Sequence, residues 1–267
     1  MAIRASIGQY YSADSPIHRL DPRVKLVGTV AFMVSCFFVG DLATLALAAG
    51  GVGVAIALSR VPARRLLAQL KPIALFLVVT SLINLFLVQD GSVALQLGPI
   101  AIHWGGIEAA VLYTARFFLL LLAGSLLTLT TPPVALADAT QSLLGPLERV
   151  GVPVGQATLV LSIALRFVPT LSREAEHIVA AQTARGANLE NKGAIAYARA
   201  CVPLIVPLFA SALRHADNLG RAMDARCYTG GERTHYHVMR LEPRRDLPAV
   251  CALALYLAAL AALSILP

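Results

Sequence analysis

Five stretches of this chain are too apolar to fold in water: residues 24–39, 42–58, 72–88, 105–129 and 247–266. A bilayer core is crossed by ~20 apolar residues in a helix. Inside it every backbone polar group must be satisfied within the segment. The first two runs are slightly short, which a closely packed hairpin rich in Gly and Ala tolerates. Over the whole chain 57% of residues are hydrophobic and only 14% charged, against about a quarter charged in soluble domains. Mean hydropathy is +0.71. The sequence therefore predicts an all-α membrane protein with about five transmembrane helices, embedded in a lipid bilayer.

The segment from 132 to 246 is of another kind. It has helical periodicity but is punctuated by Pro146, Pro153, Pro169, Pro203, Pro207 and Pro243. Its apolar runs, such as 157–165 and 201–213, are too short or interrupted to read as spans. We expect amphipathic helices packed beneath and partly into the membrane. The chain thus divides into a lead-in with four spans (1–131), a cytoplasmic helical region (132–246) and a final span (247–267).

Charge orients this scheme. Of 22 Lys and Arg, four lie in residues 1–25, four in 59–71 and thirteen in 133–247. Residues 89–104 contain none. With four spans before the helical region, all three basic segments share one side, and the positive-inside rule makes it the cytoplasm. The N-terminus is expected inside and the C-terminus outside. The formal charge of +7 is then a property of cytoplasmic loops and not of a nucleic-acid surface.

Few groups carry chemistry. No Gly-x-x-x-x-Gly-Lys-Ser/Thr, His-Glu-x-x-His, nucleophile elbow or Cys-x-x-Cys occurs. Cys36, Cys201, Cys227 and Cys251 have no paired spacing. His235 and His237 read as a solvated loop, so no metal site is expected. Arg116 lies well inside a span, and Asn84 is the other polar group at such depth. A carrier or permease that held its own substrate is the alternative reading, and it needs more mid-membrane polar groups than these two. Arg116 is expected to be tied to carbonyls or polar groups of neighbouring helices, a structural role.

One local repeat stands out. Residues 173–185 reappear 41 positions later: Arg173 on Arg214, Ala175 on Ala216, Glu176 on Asp217, Ala181 on Ala222, Ala184 on Ala225 and Arg185 on Arg226. Each copy is a helical pattern tipped by Ala-Arg. Gly186 supplies a left-handed stop after the first. An arginine there suits the negative end of the dipole and presents a planar fork to a carboxylate.

These residues resemble the transmembrane T component of energy-coupling factor transporters, prokaryotic vitamin and metal importers. The likeness includes the lead-in from Asp14-Ser15-Pro16 to Asp21-Pro22-Arg23-Val24-Lys25-Leu26, the segment Leu165-Arg166-Phe167-Val168-Pro169, and above all Ala184-Arg185-Gly186 with Ala225-Arg226-Cys227. In that family two Ala-Arg-Gly motifs end two cytoplasmic coupling helices, and each arginine docks on an ATPase subunit. The second motif here departs, with Cys227 in place of Gly, and Cys disfavours the left-handed conformation. The resemblance implies a non-catalytic coupling subunit of the prokaryotic cell membrane. Its partners would be two cytosolic ABC-type ATPases, which bind the ATP, and a small membrane substrate-binding subunit; the chain itself would hold no cofactor.

Overall fold

The computed structural model describes residues 10–90, 92–97, 100–186, 194–230 and 242–265. The loop with His235 and His237 lies outside them. The chain forms two compact units, Gln141–Val238 and Gly8–Thr140 with Met239–Pro267.

The larger unit starts from a short helix α1 (Pro16–Arg19), followed by α2 (Pro22–Cys36), α3 (Leu42–Ser59), α4 (Ala63–Leu70), α5 (Ala74–Leu87), α6 (Trp104–Thr130) and α7 (Pro133–Leu144), which runs into the smaller unit. As the sequence implies, Asp21 caps α2, its carboxylate accepting from the Arg23 amide at 2.8 Å, with Pro22 at the first helical position. α4 and α5 are joined only by the short 3-10 turn Lys71–Ile73 and act as one apolar rod.

Cross-contacts set the directions. Lys25 donates to the Thr130 carbonyl at 3.2 Å and Arg116 donates to the Val39 carbonyl, so α2 and α6 are antiparallel. Phe76 meets Phe117 edge-on at 6.3 Å, and a Cβ on Gly106 would come within 2.7 Å of the Leu85 and Val88 carbonyls. α5 and α6 are therefore antiparallel too, pressed together where only glycine fits. The last helix, α10 (Pro243–Ile265), runs alongside α2: Asp246 holds the Asp21 amide at 3.0 Å, Leu253 faces Gly28 and Tyr256 packs on Phe32. Phe32, Cys36, Ala48, Val52, Leu119, Leu122, Leu126 and Leu260 make the core.

The region between α5 and α6 is a hairpin. Val93–Leu97 (β1) and Ile100–His103 (β2) pair as an antiparallel hairpin with an irregularity between Val93 and Leu95. Alternation over so few residues is a weak signal, and pairing needs both arms held by the helices beneath.

The smaller unit holds α8 (Val154–Ala184) and α9 (Ala194–Asp224), each 31 residues long. Here the prolines do not divide the helices as the sequence suggested. α8 continues through Pro169 and α9 through Pro203 and Pro207. Among the described residues, five stretches are long and apolar enough to cross a membrane: Leu42–Ser59, Ala63–Leu87, Trp104–Thr130, Val154–Ala184 and Pro243–Ser264. α2, at 15 residues, falls short of that group and α8 enters it. In α8, Arg166 and Pro169 interrupt the apolar run without interrupting the helix.

Candidate functional site

α8 and α9 pack against each other, and one cluster marks their crossing. Ser211, only 3% exposed, donates to the Glu174 carboxylate. The His215 ring lies edge-on to Phe167 at 5.9 Å and 80°. Along α8 the contacts run from 167 to 174 while on α9 they run from 215 back to 211, so the helices diverge from the crossing in opposed senses. Arg185 lies eleven residues past Glu174, and Arg226 eleven past His215. Each tip is therefore ~16 Å of helix beyond the cluster.

Both tips close by the same backbone rule. At the first, Arg185 is the C-cap residue; the Gly186 amide donates to the Thr183 carbonyl at 3.0 Å and Gly186 has φ +85°. At the second, the Tyr228 amide donates to the Met223 carbonyl at 3.0 Å and the Cys227 amide to the Asp224 carbonyl at 2.9 Å. That pair of bonds is a Schellman stop. Cys227 takes the left-handed position that glycine would occupy, at φ +57°. The departure in sequence is thus absorbed without a change of geometry, at some cost in strain.

Ala184, Arg185, Gly186, Ala225, Arg226 and Cys227 are all exposed. Among the described residues, neither Arg185 nor Arg226 has an ion pair or a side-chain hydrogen bond, whereas Arg221 is paired with Asp217 at 2.8 Å. Two guanidinium forks are left facing outward at diverging helix ends. The arrangement can clamp carboxylates at two separate points.

The intramembrane polar residues are spent on the fold. Arg116 donates to the Val39 carbonyl and lies 5.2 Å from the Tyr113 ring centroid. Asn84 donates to the Thr80 carbonyl of its own helix at 2.9 Å. In the α5–α6 register, residue 84 faces the Glu108 end of α6 and not Arg116, so the structure does not bring the two together. Among the described residues no group of three metal-ligating side chains occurs.

Sequence reasoning missed one junction. Asp246, 3% exposed, accepts from the amides of Asp21 (3.0 Å) and Glu242 (2.9 Å), and joins the starts of α2 and α10 across 225 positions. The available signal was an acidic residue in the first turn of α10, directly after Arg244 and Arg245.

The fold is that of a multi-pass helical membrane protein whose two longest helices end in exposed arginines. Residues 13–236 match the family model described as Cobalt transport protein, CbiQ. The chain is 44% identical over 227 residues to an energy-coupling factor transporter transmembrane protein, EcfT, of Heliobacterium modesticaldum, covering 85% of each. With the EcfT of Thermosediminibacter oceani it shares 42% over 251 residues, 94% of each chain. It is also 43% identical over 252 residues to a Bifidobacterium longum protein named a putative ABC transporter ATP-binding protein; 94% of this chain is covered but only 32% of that one. The chain belongs to the CbiQ/EcfT family, the transmembrane components of energy-coupling factor transporters.

Proposed function

We propose that this chain is a non-catalytic coupling subunit: it docks two cytosolic ABC-type ATPases through Arg185 and Arg226 and passes their motion to a separate, small membrane subunit that binds a vitamin or metal ion. The observation that carries the reading is the pair of exposed arginines, without an ion pair among the described residues, on helices tied together at one crossing. Two docking points on diverging ends suit two partner surfaces and not one. The Bifidobacterium relative is named for ATP binding and is about three times the length of the matched part. That supports an ATPase as the neighbour, since the sequence shared here has no phosphate-cradling loop. ATP and its metal would stay on those partners.

The orientation follows from charge. In the larger unit Lys25, Arg60, Arg65 and Arg245 gather at one end, around Thr130, Asp14, Tyr11 and Asp246. The opposite end carries the hairpin, in a stretch without Lys or Arg. α2 and α10 both start at the basic end. This supports a cytoplasmic N-terminus and an outward C-terminus.

The test is co-purification from a prokaryotic host expressing the chain with its ATPases. Wild type should retain them, and the Arg185→Ala/Arg226→Ala variant should lose them together with uptake. Retention of both by the double variant would overturn the reading.

A further inference from the structure

The crossing of α8 and α9 has a feature that docking alone does not require. Each helix carries an interior proline at or before it: Pro169 in α8, between Phe167 and Glu174, and Pro207 in α9, before Ser211 and His215. An interior proline removes one backbone hydrogen bond and clashes with the turn before it, so the helix bends most readily there. Downstream of each proline an unbroken helical arm runs to its arginine tip, from 170 to 185 and from 208 to 226. Glu174 belongs to the first arm, and Ser211 and His215 to the second. The Ser211 hydroxyl donates to Glu174, and the His215 Nδ1 is 2.9 Å from the Ser211 carbonyl oxygen and 3.4 Å from its hydroxyl. A hydroxyl given to a carboxylate in a site as buried as Ser211 is a strong, directional tie. Glu174 and His215 are also matched positions of the 41-residue repeat. The Glu174–Ser211 bond therefore joins the two arms on the tip side of both weak points, while Phe167, just before Pro169, meets His215 of the second arm.

We propose that Glu174, Ser211 and His215 form a clasp that makes the two arginine-tipped arms one lever, hinged at Pro169 and Pro207, so that displacement of one tip moves the other. These are positioning residues; they act through the arms and touch neither partner nor substrate. The inference rests on the coupling role proposed above.

The test uses the full chain in lipid nanodiscs, without and with its ATPases. Nitroxides are placed at Ala181 and Ala222, both exposed, in a background with the other cysteines replaced. Wild type should give one narrow distance distribution. Glu174→Ala and Ser211→Ala should at least double its width at unchanged helix content, and Ser211→Thr, which keeps the hydroxyl, should restore it. In the complex the two alanine variants should still hold the ATPases through intact arginines; reconstituted into proteoliposomes with the substrate-binding subunit, they should hydrolyse severalfold more ATP per substrate imported. Should Glu174→Ala not fold, Glu174→Gln keeps the shape and an accepting oxygen, and should widen the distribution less. Unchanged widths together with an unchanged ratio of ATP to substrate would overturn the clasp. Failure of the coupling role would appear elsewhere, as ATPases retained by the double arginine variant.

Discussion

Lys25 and Arg116 close the two ends of a single seam. Lys25, at the start of α2, donates to the Thr130 carbonyl at the end of α6; Arg116, midway along α6, donates to the Val39 carbonyl just beyond α2. The spacing from 25 to 39 equals that from 116 to 130, fourteen residues each. Each cation satisfies a carbonyl that its helix end leaves without an intrahelical partner. A charge on an apolar helix therefore acts here as a brace, not as part of a route for substrate.

Removing one brace should weaken the fold without touching coupling. Arg116→Met strands the Val39 carbonyl, at a cost of about 1–3 kcal/mol. Thermal unfolding in detergent should show a lower midpoint, while correctly assembled protein retains ATPase association. Loss of association at full stability would assign Arg116 a different role.

The two helix stops should respond in opposite directions. Cys227 sits at φ +57° and Gly186 at φ +85°. Cys227→Gly should stabilise the second tip by about 0.5–1 kcal/mol, and Gly186→Ala should weaken the first by about 1 kcal/mol or more. Amide exchange at Tyr228 should slow in the first variant.

The arginines should tolerate lysine poorly. A docked guanidinium typically contributes ~2–5 kcal/mol when truncated. Arg185→Ala or Arg226→Ala alone should weaken ATPase binding and uptake, since the other anchor still tethers the complex. Arg185→Lys should recover only part, because an ammonium lacks the bidentate fork. Arg173→Ala, far from the tip, should be milder. Pull-down yields across these variants decide it.

Thiol labelling of intact cells reads the orientation. Single cysteines at Ser92 and Ser264, both exposed at the end away from the basic cluster, should react with an impermeant reagent from outside. Those at Ala63 and Thr183 should not. Outside reaction at Thr183 would place the arginine tips away from ATP.

Acid should loosen the lead-in. The His18 Nε2 is 2.9 Å from the Tyr11 carbonyl oxygen and its Nδ1 2.7 Å from the Ser15 hydroxyl. Desolvation by burial holds its pKa below the ordinary histidine value, outweighing the raising effect of the Tyr11 carbonyl. The unfolded chain then binds the proton more readily than the folded one. Stability contributed here is present above a pH of about 6.5 and declines as pH falls through that range. Amide exchange at Tyr11, which donates to the Leu129 carbonyl, should quicken below it, and less so in His18→Asn.

Much of this molecule was decided locally. Apolar runs marked the helices around the core, Asp21-Pro22 marked the start of α2, and the Ala-Arg repeat marked both tips, because burial in lipid, capping and helix periodicity act over a few residues. Family membership came from the same local signals. What depended on distant partners was not legible. Pro169, Pro203 and Pro207 read as breaks, yet 31-residue helices run through them; packing of α8 on α9 outweighs a cost of ~3 kcal/mol per interior proline. Cys227 read as a poor helix stop, yet it takes the glycine conformation because the Met223 and Asp224 carbonyls are satisfied there. The Asp21–Asp246 junction and the Glu174–Ser211 tie join residues 225 and 37 positions apart. No window of sequence contains both partners, and only the tertiary structure, by bringing buried donors to buried acceptors that must be paired, decided that they meet.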